Sequence, residues 1–218
     1  MHTRILRLSD VDAQAEALDL LDRGAVIAAP TDTVYGVMCR YDDSAAIAAL
    51  FAVKDRPLDK AIPVLIGDRS QLDLLVPQPL SPAADLLIGR FWPGPLTLVL
   101  PAQTGLPSAL TAGKATAGVR MPAHAGLCAL IRRSGPLAAT SANLSGAAEA
   151  HTAAQVAQQL AGRLPLILQD DADEAGGRAP APPSAIVDLS GSVPRILRDG
   201  AIAADVIAAL AEIGLTPC

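Results

Sequence analysis

A layered α/β fold is the architecture this sequence predicts, on three observations. Short apolar runs closed by Pro, Gly or polar clusters recur along the chain, as buried strands require. Between them lie stretches with helical periodicity, so strands and helices interleave instead of forming separate blocks. With 218 residues, 51% of them hydrophobic, the chain can bury a substantial core. A single domain over residues 1–218 is expected.

The elements follow in order. After Met1-His2-Thr3-Arg4 the chain enters an alternating, strand-like run. Ser9 or Asp10 can cap a helix with Val11, Ala15, Leu18 and Leu21 inward, ended by Gly24. Ala25 to Ala29 reads as a buried strand closed by Pro30, and Ser44 starts a helix through Ile47, Leu50 and Phe51. Ile62 to Ile66 is the next strand, which Pro63 places near an edge or a bulge. Helical runs follow at 68–75 and 82–91, the second with Ser81 as cap and Pro82 in first position. Further strands are predicted at 97–100, 116–120, 137–140, 166–168, 185–189 and 195–197, with helices at 124–133, 152–161 and 203–213. Gln169 to Pro183, rich in Asp, Ala, Gly and Pro, reads as a mobile loop over a site.

Seventeen basic against 22 acidic residues, a net charge of -5, argue against a general polyanion binder, because counterion release needs a broad basic face. A phosphate ligand should therefore be small. No run approaches 18 uninterrupted apolar residues, so no membrane span is expected and the chain reads as cytoplasmic. Cys39, Cys128 and Cys218 lack the spacing of a disulfide framework or a zinc site.

Two of the three lysines, Lys54 and Lys60, flank Arg56 in one Pro-stiffened loop, suited to an oligophosphate or a carboxylate, or else simply a solvated charged turn. Three polar clusters close apolar strands, where α/β proteins place ligands. Pro30-Thr31-Asp32-Thr33-Val34-Tyr35-Gly36 offers hydroxyls and a tight turn at Gly36. Thr116, Gly118 and Arg120 share one face of a strand by period-2 spacing, with Gly118 leaving room for a ligand. Thr140-Ser141-Ala142-Asn143-Leu144-Ser145-Gly146 offers hydroxyls, an amide and backbone N–H groups to an anion. Arg198 adds a late cation.

Gly113-Lys114 resembles the end of a Walker loop, but Ala115 stands where Ser or Thr is required and Ser108 where Gly is. No Gly-x-Gly-x-x-Gly, Gly-x-Ser-x-Gly or His-Glu-x-x-His occurs. His124 reads as the cap or opening of a helix.

Taken together, these blocks resemble the YrdC-like threonylcarbamoyl-AMP synthases. The matching pieces are Pro30 to Gly36, Lys54 to Pro57 with Lys60, Phe91 to Thr97, Val119 to Pro122, Thr140 to Gly146, Pro183-Ser184 and Leu197 to Gly200, in the family's order across most of the chain. The hallmark, Lys-x-Arg followed far downstream by Ser-x-Asn, stands as Lys54, Arg56, Ser141 and Asn143. The resemblance implies a twisted, open, mixed sheet flanked by helices, with a positively charged concave cavity. It implies a nucleotidyltransferase that joins L-threonine, bicarbonate and ATP, with Mg²⁺ on the nucleotide, into threonylcarbamoyl-adenylate, for the N6-threonylcarbamoyladenosine modification of tRNA.

By position, the resemblance implies that Lys54, Arg56, Ser141 and Asn143 form the catalytic set and that, with Lys60, Thr116 and Arg198, they hold ATP. It implies likewise that Thr33, Arg120 and Ser184 hold L-threonine, Arg120 through a paired contact with its carboxylate. No metal ligand from the protein is expected. A downstream tRNA threonylcarbamoyl-transferase complex is then expected to receive the intermediate, and the acidic balance predicts that tRNA itself binds only weakly. Asp32 stands where Glu is usual, Ala185 follows Ser184 where Thr is, and Leu65 stands where long-form members carry His. The chain stops soon after Arg198, as in the short form that lacks a further C-terminal domain. The competing readings are a YrdC-like paralogue using another carbamoyl substrate and a non-catalytic module for double-stranded RNA.

Overall fold

The computed structural model describes residues 2–55, 60–174 and 181–218, the side chain of Glu174 excepted. In chain order the elements are β1 (Arg4–Arg7), α1 (Val11–Asp22), β2 (Ile27–Ala29), β3 (Gly36–Arg40), α2 (Ser44–Val53) and β4 (Val64–Leu65). A 3₁₀ turn (Arg69–Leu74) leads to α3 (Pro82–Phe91), β5 (Leu96–Pro101), α4 (Ser108–Thr111), β6 (Thr116–Arg120), α5 (Ala125–Ser134) and β7 (Leu137–Ser141). The chain then forms α6 (Ala153–Leu160), β8 (Leu166–Gln169), α7 (Asp171–Glu174), β9 (Ala185–Asp188), β10 (Arg195–Arg198) and α8 (Ala203–Ala211). No helix among the described residues is long and apolar enough to cross a membrane.

The strands form one open mixed sheet in the order β1-β8-β2-β3-β7-β4-β6-β5-β9-β10. Parallel pairs (β1 with β8, β2 with β8, β4 with β6, β5 with β9) are mixed with antiparallel ones such as β3 with β7 and β5 with β6. Because successive side chains point to opposite faces, the central strands feed two cores. Ile27, Ala29, Met38, Leu137 and Ala139 face α1 and α5, while Ala28, Val37, Cys39 and Ala138 face the larger core beneath α2, α3, α6 and α8.

Local chemistry fixes the helix starts. Asp43 accepts from the N–H groups of Ala45 and Ala46 and caps α2, and Ser81 accepts from Ala84 ahead of Pro82. Thr152 and Gln155 close a reciprocal capping box on α6, and His124 Nδ1 accepts from Leu127 at the start of α5, the capping role expected of it.

Four expectations are corrected. The inward face of α1 carries Ala13, Ala17 and Leu21, and Val11 is 77% exposed, so the buried stripe begins two residues later than expected. β4 lies inside the sheet between β7 and β6, not at an edge. Pro63 sits just ahead of it, and its carbonyl accepts from Ala139 while its missing N–H costs no ladder bond. Gly36 opens β3 instead of forming a tight turn. The stretch Gln169 to Pro183 begins with the short helix α7, and its residues 175–180 lie outside the described residues.

β10 carries Arg198 to the site and is held by one buried acid. Asp188 on β9 accepts from Arg195 at 2.6 Å and from the backbone and hydroxyl of Ser190. Burial pushes this carboxyl up, but the bonds from Arg195 and Ser190 outweigh it and hold it below its ordinary value of 3.8. A carboxylate with a depressed folded-state value stabilises the fold above its unfolded value and loses that contribution as pH falls through the folded one. Asp188→Asn is expected to lower stability by about 1–2 kcal/mol at neutral pH, discounted because Arg195 is largely exposed. Denaturant unfolding should show the difference closing below about pH 3.8, and a deficit that persists unchanged in acid would rule out the ion pair as its source.

Candidate active site

The alternation that feeds the cores also builds a cavity. Along β5, Leu96 and Leu98 enter the larger core and Thr97 turns the other way, and along β9 Ala185 and Val187 do the same around Ile186. With Pro63, Leu65, Ala139 and Ser141 these residues line a cavity of about 250 Å³ on the face that bears α1 and α5. The lining is completed from Thr31 to Gly36, Glu149, Pro183, Ser184, Arg120 and Arg198, with Asp32 outside it.

Arg120 ends β6 and is enclosed, its side chain 7% exposed. Nε donates to the Gly94 carbonyl at 3.0 Å, Nη1 to Thr33 Oγ1 at 3.1 Å and Nη2 to Asp32 Oδ1 at 2.5 Å. Burial pushes its proton affinity below that of ordinary arginine, and the Asp32 carboxylate opposes that shift. Arg198 at the end of β10 donates from Nε to the Ser184 carbonyl and from Nη2 to Ser184 Oγ at 3.0 Å. Ser184 Oγ in turn lies 2.8 Å from Thr97 Oγ1. Burial lowers Arg198 as well, and the charge of Glu149 acts in the opposite sense.

Lys54 closes α2 and is 2% exposed. Its ammonium donates to the Ser141 carbonyl and lies 3.4 Å from both Ser141 Oγ and Asn143 Oδ1. Two sequence blocks 87 residues apart thus meet through one buried cation. Asn143 is fixed by its own amide, which donates to the carbonyls of Leu144 and Ala147.

The structure therefore brings Thr33, Arg120, Ser141, Ser184 and Arg198 to one cavity, with Lys54 and Asn143 joined to its wall through Ser141. Lys60 is exposed and Thr116, at the far end of β6, is half-buried, and neither lines the cavity. Arg56 lies outside the described residues. Two details are corrected. The N–H groups of Ala142, Asn143, Leu144 and Ser145 are engaged by Tyr35 O, Ser141 O, Gln159 Oε1 and Lys54 O, so that loop does not offer them to an anion. The space above Gly118 is taken by Pro63 at 3.4 Å and Thr97 at 3.7 Å, so the missing side chain lets strands approach and does not make room for a ligand.

Sequence reasoning passed over Thr31, Thr97, Glu149 and the wall residue Tyr35 as polar partners. Tyr35 donates to Asp173 at 2.7 Å and accepts from the Asp170 N–H, which ties the cavity wall to α7, and burial drives its phenol far above the usual range. Thr97 was detectable, as a single hydroxyl alternating with leucines in Leu96-Thr97-Leu98. Cys39 and Cys128 are buried, and burial pushes the Cys39 thiol up to about 12. Among the described residues no three His, Cys, Asp or Glu side chains are grouped to hold a metal ion.

The Sua5/YciO/YrdC family, described as telomere recombination, matches residues 19–200. A Bacillus subtilis protein named threonylcarbamoyl-AMP synthase is 40% identical over 207 residues, covering 93% of this chain and 58% of that protein. A Pyrococcus abyssi protein of the same name is 36% identical over 187 residues, with 85% and 53% covered. The chain thus spans little more than half the length of these two relatives. A Mycobacterium tuberculosis protein named putative threonylcarbamoyl-AMP synthase is 36% identical over 192 residues, with 88% and 86% covered. Among solved structures, P. abyssi Sua5 complexed with L-threonine superposes with a TM-score of 0.89 at 32% identity, covering 99% of this chain and 63% of that one. Escherichia coli YciO shares the fold, with a TM-score of 0.79 at 22% identity over 91% and 96% of the chains. A family match across most of the chain, on the same open mixed sheet, means that this protein belongs to the Sua5/YciO/YrdC family.

Proposed function

We propose that the protein makes threonylcarbamoyl-AMP and pyrophosphate from L-threonine, bicarbonate and ATP, supplying the N6-threonylcarbamoyladenosine modification of tRNA. The observation that carries this reading is the convergence of Lys54 with Ser141 and Asn143 beside a cavity lined by Arg120 and Arg198. The names of the relatives and the threonine bound to P. abyssi Sua5 support it.

The chemistry asks little covalent work of the protein. The neutral amine of threonine takes up the carbon of bicarbonate, water leaves, and a carbamate forms. A carbamate oxygen then attacks the α-phosphorus of ATP, the bond to the β-phosphate breaks, and pyrophosphate departs with the electron pair. The nucleophile belongs to the substrate, so the protein's tasks are alignment and stabilisation of charge moving onto pyrophosphate. Lys54 and Arg198 suit that second task beside Ser141 and Asn143, and a nucleotide site that also used Arg56, Lys60 and Thr116 would extend beyond the cavity lining. Arg120, Thr33 and Ser184 suit the amino acid. Mg²⁺ would arrive on the phosphates of ATP, where it would neutralise charge, and no step is assigned to it.

Pyrophosphate release from ATP is expected to require both L-threonine and bicarbonate, because without either the α-phosphate has no attacker. Mass spectrometry should detect threonylcarbamoyl-AMP among the products. Equal pyrophosphate release with alanine in place of threonine, or in bicarbonate-depleted buffer, would sink the assignment.

A further inference from the structure

Two pairs of hydroxyls line the cavity, and they differ in where their protons go. Thr31 Oγ1 lies 2.6 Å from the Val34 carbonyl, which can only accept, so the single hydroxyl proton of Thr31 is donated there. The 3.1 Å contact between Thr31 and Thr33 must then be a donation from Thr33 to Thr31. Thr31 Oγ1 also accepts from the Thr33 N–H at 3.0 Å, which fixes its orientation. Arg120 Nη1 donates to Thr33 Oγ1 at 3.1 Å, and a guanidinium cannot accept. Thr33 has therefore given away its proton and received one, and what it retains toward the cavity is a lone pair.

The second pair behaves oppositely. Thr97 and Ser184 are 4% and 3% exposed and hold two hydroxyl protons between them. Their mutual bond uses one, and Arg198 adds a donor to Ser184 and removes none. The other proton has no partner among the described residues. Arg120 likewise keeps one N–H on each terminal nitrogen without a partner among the described residues. The cavity thus presents an acceptor at Thr33, directly beside donors at Arg120, with a further donor at the Thr97–Ser184 pair.

We infer that Thr31 is a positioning residue: by taking the proton of Thr33 it turns that hydroxyl into an acceptor for the substrate's amino group, and so sets the direction in which the amino acid lies. The amine sits against Thr33 and the carboxylate against Arg120, two groups joined through one carbon meeting two side chains that touch each other. This rests on the proposed L-threonine site and adds its polarity. The arrangement has a chemical use, because a neutral hydroxyl oxygen holds the amine without the strong preference for the ammonium form that a carboxylate would impose. Asp32, the nearby carboxylate, is committed to Arg120 and outside the lining.

The test is calorimetric titration of the protein with L-threonine, and displacement of L-threonine by 3-hydroxybutyrate, which lacks only the amino group. Wild-type protein should prefer L-threonine. Thr33→Val, nearly isosteric, should weaken L-threonine by about tenfold or more while changing 3-hydroxybutyrate by less than about threefold. Thr31→Val frees the Thr33 proton and should reduce the preference in the same sense, and Thr31→Ser, which keeps the proton path, should restore it. Equal losses for both ligands in Thr33→Val, or an undiminished preference in a folded Thr31→Val, would overturn the inference while leaving the threonine site standing. Failure of the wild-type protein to bind L-threonine would overturn the functional reading and this inference with it.

Discussion

Replacing Arg120 by Met should reduce both stability and turnover, and neutralising Asp32 in the same chain should restore only the stability. The pair is enclosed, with side chains 7% and 10% exposed at 2.5 Å. Removing the guanidinium strands a carboxylate away from water and takes a donor from the Gly94 carbonyl and from Thr33. Breaking a buried pair from one side costs about 3–5 kcal/mol, whereas removing both charges is often close to neutral. Arg120→Met with Asp32→Asn should therefore recover most of the lost stability. Turnover should stay down by about 10²–10³-fold in both variants, the scale for losing one preorganised contact to the reacting groups. Denaturant unfolding and a pyrophosphate assay on the same preparations separate the two effects. A double variant with wild-type turnover would make Arg120 a structural residue only, and a single variant of unchanged stability would show that the pair contributes nothing to the fold.

Much of the fold was legible because its period is short and its interruptions are strong. Strands such as Thr116–Arg120 and Ala185–Asp188 and the helix opened by Ser81-Pro82 follow from local sequence alone. β3 was not legible. It runs Gly36-Val37-Met38-Cys39-Arg40, buried on both faces, and follows the polar segment 30–35 with no break to mark its start. The face of α1 is only half legible because alanines and leucines surround its axis: Leu21 is buried as expected, while packing against α5 selects Ala13 and Ala17 over Val11 and Ala15. Pro63 suggested an edge because only tertiary contact reveals that β7 supplies the donor for its carbonyl.

The site divides along the same line. Residue types that carry charge or hydroxyls were visible in their motifs, and Thr33, Arg120, Ser141, Ser184 and Arg198 do share one cavity. Who bonds to whom was not visible. Asp32 and Arg120 are 88 positions apart, and Thr97 and Ser184 are 87, so no local pattern pairs them. The loop at 142–145 looked like an anion cradle because its composition is that of one, yet long-range partners such as Lys54 and Gln159 consume its N–H groups. The proposed site therefore relies on side-chain cations and hydroxyls, Lys54 among them, and not on the N–H groups of residues 142–145.

Lys54→Met should abolish most turnover in a protein that still folds. The ammonium is buried against Ser141 and Asn143, and it is the described cation that links the two halves of the family's hallmark. Methionine keeps the apolar stem of the side chain, and Asn143 retains its bonds to Leu144 and Ala147, so the wall should keep its shape. What disappears is a fixed positive charge in a site largely screened from water, where such a charge is worth far more than in bulk solvent. The expected loss in turnover is about 10²–10³-fold, with a smaller change in the KM for ATP, because the charge shifting onto pyrophosphate is greatest in the transition state. Lys54→Arg should not rescue, since the planar guanidinium does not fit where a compact ammonium meets three oxygens. Steady-state pyrophosphate release with a thermal melt of each variant decides it. A folded Lys54→Met protein within about threefold of wild-type turnover would show that this charge stabilises no transition state.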